Sequence, residues 1–108
     1  MQAKFSIGQI VHHNQIVHHK LFDYRGVIID VDCTFQGSEQ WYQQVANSRP
    51  PKDQPWYHVL VDNAAHQTYV AERNLEASDV LTPIDHPVID LVFSGMQEGH
   101  YLSRTKTN

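Results

Sequence analysis

Four of the chain's eight histidines fall within residues 9–20, where a hexapeptide is written almost twice, QIVHHN and then QIVHHK. Imidazole is a common metal ligand and the side chain whose ordinary pKa lies nearest neutrality. His12, His13, His18 and His19 therefore raise two chemistries, metal coordination and a pH response. Coordination fits the spacing poorly. Neighbouring residues on a strand face opposite sides, so each His-His pair offers one ligand per face. A two-residue turn at Asn14-Gln15 would set His12 opposite Val17 and His18 opposite Val11, interleaving histidine with valine. The repeat reads better as a partly exposed strand or loop carrying a pH-sensitive patch.

Other chemistry-bearing residues are sparse. Asp30 and Asp32 lie two apart and share a strand face, so they form a candidate carboxylate pair. Their plainer role is to end a strand and solubilise its exposed side. Cys33 has no histidine or base-orienting group near it in sequence, and His58 sits inside a strand, where packing or hydrogen bonding is the ordinary use. No phosphate loop, dinucleotide fingerprint, nucleophile elbow or HExxH motif occurs. The residues predict a binding protein rather than an enzyme, with no catalytic residue, metal or cofactor.

Binding to nucleic acid needs cations, with aromatic rings as stacking platforms. Lys20, Arg25, Arg49 and Lys52 are the candidate phosphate contacts, near Tyr24, Trp41 and Trp56 in sequence. The rings serve equally as core, since a small β domain relies on large side chains for burial. Net charge is −4, which argues against broad non-specific affinity for DNA. The charge is uneven: residues 1–52 hold five Lys/Arg and four Asp/Glu, whereas residues 53–108 hold three and eight. A phosphate-facing patch therefore belongs to the N-terminal half.

These residues must be positioned by short strands with tight turns. Phe5–Gln9 reads as a lead-in strand or bulge, Asp23-Tyr24-Arg25-Gly26 as a turn, and VIIDVD (27–32) as a central strand. Ser38 is placed to cap a helix over Glu39–Val45, with Trp41, Tyr42 and Val45 on one face. Arg49–Pro55 forms a stiff connector, Trp56–Asp62 a strand, Asn63-Ala64-Ala65 a hairpin turn and Gln67–Ala71 the returning strand. A second helix is predicted over 86–93, with Pro87 at its first position. Four or five such strands suggest a small barrel. The 108 residues make one domain over 1–102, followed by a flexible polar tail at 103–108. One cysteine, no secretory signal and no long apolar run point to a cytoplasmic protein without a membrane partner.

The order FSIGQIVHH…KLFDYRGVIIDVD, EQWY, PPKDQPWYHVLVD, TYVAERNL and IDHPVIDLVF resembles the YccV-like, hemimethylated-DNA-binding family over residues 4 to about 101. The resemblance implies a mainly β, SH3-like barrel with one or two short helices and neither cofactor nor catalysis. It implies binding to DNA, preferentially hemimethylated, and a part in the degradation of denatured or specific proteins by an ATP-dependent protease under heat stress. An adaptor role toward that protease or its substrates, without DNA binding, is the alternative. Self-association is a third possibility.

Members of the family run from IGQ-x-V-x-H almost directly into Leu-Phe-x-Tyr-Arg-Gly, so the repeat looks like a six-residue tandem insertion. Either copy can serve as the strand, because lengthening a surface loop costs only about 0.6 kcal/mol per doubling. The short link to Tyr24 favours the second copy, leaving the first as a bulge after Gly8.

Overall fold

The computed structural model describes residues 2–17, 20–45 and 49–104. Among the described residues seven strands dominate: β1 (Ile10–Val17), β2 (Lys20–Asp32), β3 (Trp56–Val61), β4 (Gln67–Ala71), β5 (Leu75–Ala77), β6 (Phe93–Gln97) and β7 (His100–Ser103). Two short helices, α1 (Glu39–Val45) and α2 (Ile89–Val92), and a 3-10 turn at Glu72–Asn74 complete it. The first five strands form one antiparallel sheet in the order β4-β3-β2-β1-β5, and β6 and β7 form a separate two-stranded ribbon. The sheets are open: among the described residues no pairing joins the edge strands β4 and β5 into a closed barrel.

The middle of the large sheet is buried on both faces, which explains the unbroken apolar runs of β2 and β3. On one side Ile10, Val27 and Leu60 pack with Ile84, Phe93 and Tyr101. On the other, Val11, Ile28, Tyr57, Val59, Val70 and Leu75 form a second cluster. Consecutive residues thus point into two different cores. The segment Gly8-Gln9 ties the ribbon to the sheet. Gly8 N–H donates to Ile28 O at 2.8 Å, Tyr101 N–H donates to Gly8 O at 2.9 Å, and Gln9 bridges His100. Gly8 has φ +94°, and a Cβ there would stand 2.3 Å from Tyr101 O, so glycine is required on both counts.

Several sequence expectations hold. Helix α1 spans the expected residues, with Ser38 Oγ accepting from Trp41 N–H at 3.1 Å as its cap. The strand–turn–strand over 56–71 is present, with Asn63 at φ 60° in the turn. Others are corrected. Asp23–Gly26 is no turn but the middle of β2. Gly26 serves close approach instead, since a Cβ would meet Val59 Cγ1 at 2.4 Å and Leu60 O at 2.6 Å. The second helix is confined to Ile89–Val92, because Phe93 is drawn into β6 and the Phe93–Tyr101 core pair. Residues Phe5–Gln9 make a turn and a single bridge rather than a strand. Ser103, assigned to the tail, closes β7, and 105–108 lie outside the described residues.

The repeat is settled against the second copy. Ile10 pairs with Val27 and Val11 with Gly26, so the first copy is the strand of the sheet. The second copy extends the same hairpin through Gln15↔Phe22, Ile16↔Leu21 and Val17↔Lys20. No turn forms at Asn14-Gln15, because Asn14 pairs with Asp23. Six inserted residues at a hairpin tip add three cross-strand pairs and leave the register below unchanged, so an even insertion needs no bulge. His18 and His19 lie outside the described residues.

Candidate nucleic-acid interface

Two of the four candidate cations converge. The connector after α1 is pinned from both sides: Tyr42 O–H donates to Pro50 O at 2.7 Å and Trp56 Nε1–H to Pro51 O at 3.0 Å. Phe35 N–H donates to Lys52 O at 2.9 Å, anchoring the next residue. The result holds the Lys52 ammonium 4.3 Å and the Arg49 guanidinium 5.9 Å from the centre of the Tyr42 ring, both as cation–π contacts. Arg49 also donates to Gln43 Oε1 at 2.7 Å, and Lys52 pairs with Glu39. The Lys52 ammonium, followed by the Gln43 amide, holds the exposed Glu39 carboxyl below its ordinary range. Both cations remain exposed.

Behind them lies an aromatic cluster. Phe35 contacts Trp41, Tyr42, Trp56 and Tyr69 with ring centroids 4.8 to 5.9 Å apart. Trp56 is buried and serves as core, whereas Phe35, Trp41 and Tyr69 are half-buried. On the other flank of the connector, Lys4 and Arg73 line a groove of about 240 Å³ with Pro51, Gln54, Ala71 and Glu72. The groove is organised by Glu72, whose carboxylate accepts from Lys4 N–H at 2.8 Å and from Tyr57 O–H at 2.6 Å. Burial, and then the Glu72 carboxylate, push the Tyr57 hydroxyl up to about 12, so it stays a donor. Arg49, Lys52, Lys4 and Arg73 thus gather around one connector. Sequence reasoning missed Lys4 and Arg73, since only the pairing of distant segments puts them beside Pro51.

Arg25 stands elsewhere and is already committed. Its guanidinium donates to Val80 O and Thr82 O at 2.9 Å, to Pro83 O at 3.3 Å and to Asp62 Oδ2 at 2.9 Å. Asp62 Oδ1 accepts from Asp85 N–H at 2.6 Å, so the pair fastens the 78–85 loop to β2. With side chains only 17% and 13% exposed, Arg25 and Asp62 act as a structural clamp. Lys20 opens β2 opposite Val17, in the extended part of the hairpin.

A pH-responsive group of the repeat sits in its first copy, the one that forms the strand, and not in a spare loop. His12 crosses three strands, with Nδ1 3.1 Å from Glu76 Oε1 on β5 and Nε2 against Asp23 on β2. Hydrogen bonds to Glu76 and then Asp23 raise its pKa above the ordinary histidine value. His13 faces the opposite way, buried edge-on against Tyr24 at 4.9 Å. The Asp30/Asp32 pair shares a face as expected, and His58 is hydrogen-bonded to Asp32 at 3.1 Å. Cys33 is an exposed free thiol.

The fold and this surface define a small, mainly β domain that presents cations beside aromatic rings at one edge. A model of the family described as "Hemimethylated DNA-binding protein YccV like" matches residues 3–100. The chain belongs to that YccV-like family. No solved structure matches it. No helix among the described residues is long and apolar enough to cross a membrane.

Proposed function

We propose that this protein is a non-enzymatic cytoplasmic module that binds DNA, preferentially hemimethylated, through the edge around the Arg49–Lys52 connector. We read its sheet and ribbon as a variant of the SH3-like barrel architecture. The observation that carries the site is the convergence of Arg49 and Lys52 on the Tyr42 ring, with Lys4 and Arg73 across the same connector. Four cations contacting four phosphates of a duplex imply a salt slope of about −3.6, hence about 150-fold weaker binding at 200 mM than at 50 mM salt. Fluorescence anisotropy with hemimethylated and unmethylated duplexes tests this. Arg49→Gln with Lys52→Gln should shallow the slope by about 2. No binding at low ionic strength, or a slope unchanged in that variant, removes the reading.

A second reading is favoured by exposed apolar side chains. Val80, Leu81, Leu91 and Leu102 are exposed, Leu91 to 75%. Such side chains suit an adaptor that presents substrates to an ATP-dependent protease under heat stress, or that meets another copy of the chain. Unchanged degradation of a model substrate across a range of protein concentrations counts against the adaptor, and a monomer by sedimentation counts against self-association.

A further inference from the structure

The Asp30/Asp32 pair acquires a third donor from β3. A register shift between Ile28 and Asp30 inserts Ile29 into β2 and sets Asp30 opposite His58. Asp30, Asp32 and His58 then share one face, and one donor atom from each lies within 4.8 Å of the other two. His58 Nε2 is 3.1 Å from Asp32 Oδ2, a little inside the spacing of about 3.4 Å between neighbouring donors around a tetrahedral cation bound at about 2.1 Å. The surroundings orient these groups as outer partners orient metal ligands. Tyr69 O–H donates to Asp32 Oδ2 at 2.7 Å, and its ring packs on the His58 ring at 4.5 Å. Val31 N–H donates to Asp30 Oδ1 at 2.9 Å, fixing that carboxylate.

We propose that Asp30, Asp32 and His58 form a divalent transition-metal site, with two carboxylates and one imidazole as ligands and the outward side open. An imidazole among carboxylates selects zinc-like ions over magnesium and calcium, which prefer all-oxygen sites. The site shares Tyr69 with the aromatic cluster but takes no ligand from the connector cations, so it does not rest on the DNA reading. Asp30 is exposed and its replacement by Asn preserves an acceptor for Val31 N–H, so Asp30→Asn tests the ligand without threatening the fold.

The experiment is calorimetric titration of the metal-stripped full chain with Zn²⁺ at pH 7.5, in wild type, Asp30→Asn and His58→Gln. Thermal unfolding without metal checks that each variant is folded. The expected result is a binding isotherm that weakens at least tenfold in either variant. Absence of heat from the wild type overturns the proposal. So does an isotherm that both folded variants retain, which would put the ion on the histidine repeat.

Discussion

Replacing His12 by Gln should cost stability at pH 5.5 and very little at pH 9. The charged imidazole sits between Glu76 on β5 and Asp23 on β2, and so fastens the edge strand β5 to the hairpin. Its cross-strand neighbour Arg25 pairs its guanidinium with Asp62. His12 itself is 27% exposed, but Asp23 and Glu76 are 53% and 63% exposed, so solvent screens both contacts. Each is then worth about 0.5 kcal/mol and the two about 1 kcal/mol. In a domain of this size that corresponds to about 5 °C in Tm. The sign follows from the raised folded pKa. The stabilisation is fully present below the unfolded histidine value of about 6.5 and is lost as pH rises through the higher folded value. Packing lost with the ring contributes equally at both pH values, so the difference between them isolates the charge. Calorimetric melts of wild type and His12→Gln at pH 5.5 and 9 provide it, with imidazole carbon shifts reporting the titration directly. A Tm gap independent of pH, or a His12 midpoint at or below 6.5, would refute the reasoning.

Arg25→Ala should lower unfolding free energy by about 3 kcal/mol in urea melts, because it leaves the half-buried Asp62 without its cation. The folded variant should keep its affinity for DNA; a stable variant that has lost DNA binding would return Arg25 to the interface. Gly8→Ala should depress Tm by several degrees through the Tyr101 O clash and the positive φ, and an unchanged melt would show that the 8–9 junction yields freely. Deleting residues 15–20 removes the added cross-strand pairs at the hairpin tip and should leave Tm within a few degrees, whereas loss of the cooperative transition would show that the second copy supports the sheet.

The legible parts of the fold were those set by local chemistry. Ser38 before Glu39 announced α1, Asn63 announced the hairpin turn, and the β-branched runs announced β2 and β3. The misreadings came from residues whose neighbours lie far along the chain. Asp23–Gly26 has turn composition, yet pairing with Val11–Asn14 and Val61 keeps it extended, and Gly26 is used for the approach of Leu60. The repeat was ambiguous because both copies have the same strand-forming residues. The choice rests on which copy continues from Gly8, whose conformation is fixed by Tyr101, ninety-three residues away. The cations behaved likewise. Arg49 and Lys52 are near each other already in sequence, across a proline connector, while Lys4 and Arg73 come beside Pro51 only when distant segments fold together.

A chain of net charge −4 can bind a polyanion only by segregating its charge. The segregation follows from how the carboxylates are occupied. Asp62 is consumed by Arg25 and the Asp85 amide, Asp23 and Glu76 by His12, and Asp32 by His58 and Tyr69. Asp23, Asp62 and Glu76 are taken up by contacts that hold the sheet and loops together, whereas Asp32 reaches the aromatic cluster beside the connector through Tyr69. Around the connector, Lys4, Arg49, Lys52 and Arg73 meet Glu39, Asp53 and Glu72, and Glu72 faces inward to the Tyr57 hydroxyl and the Lys4 amide. The excess there is small, so the affinity for phosphate alone should be modest. Discrimination must then come from contacts other than charge. The half-buried faces of Trp41, Phe35 and Tyr69 beside Lys52 are the surface on which a base or its methyl group can add to the phosphate contacts.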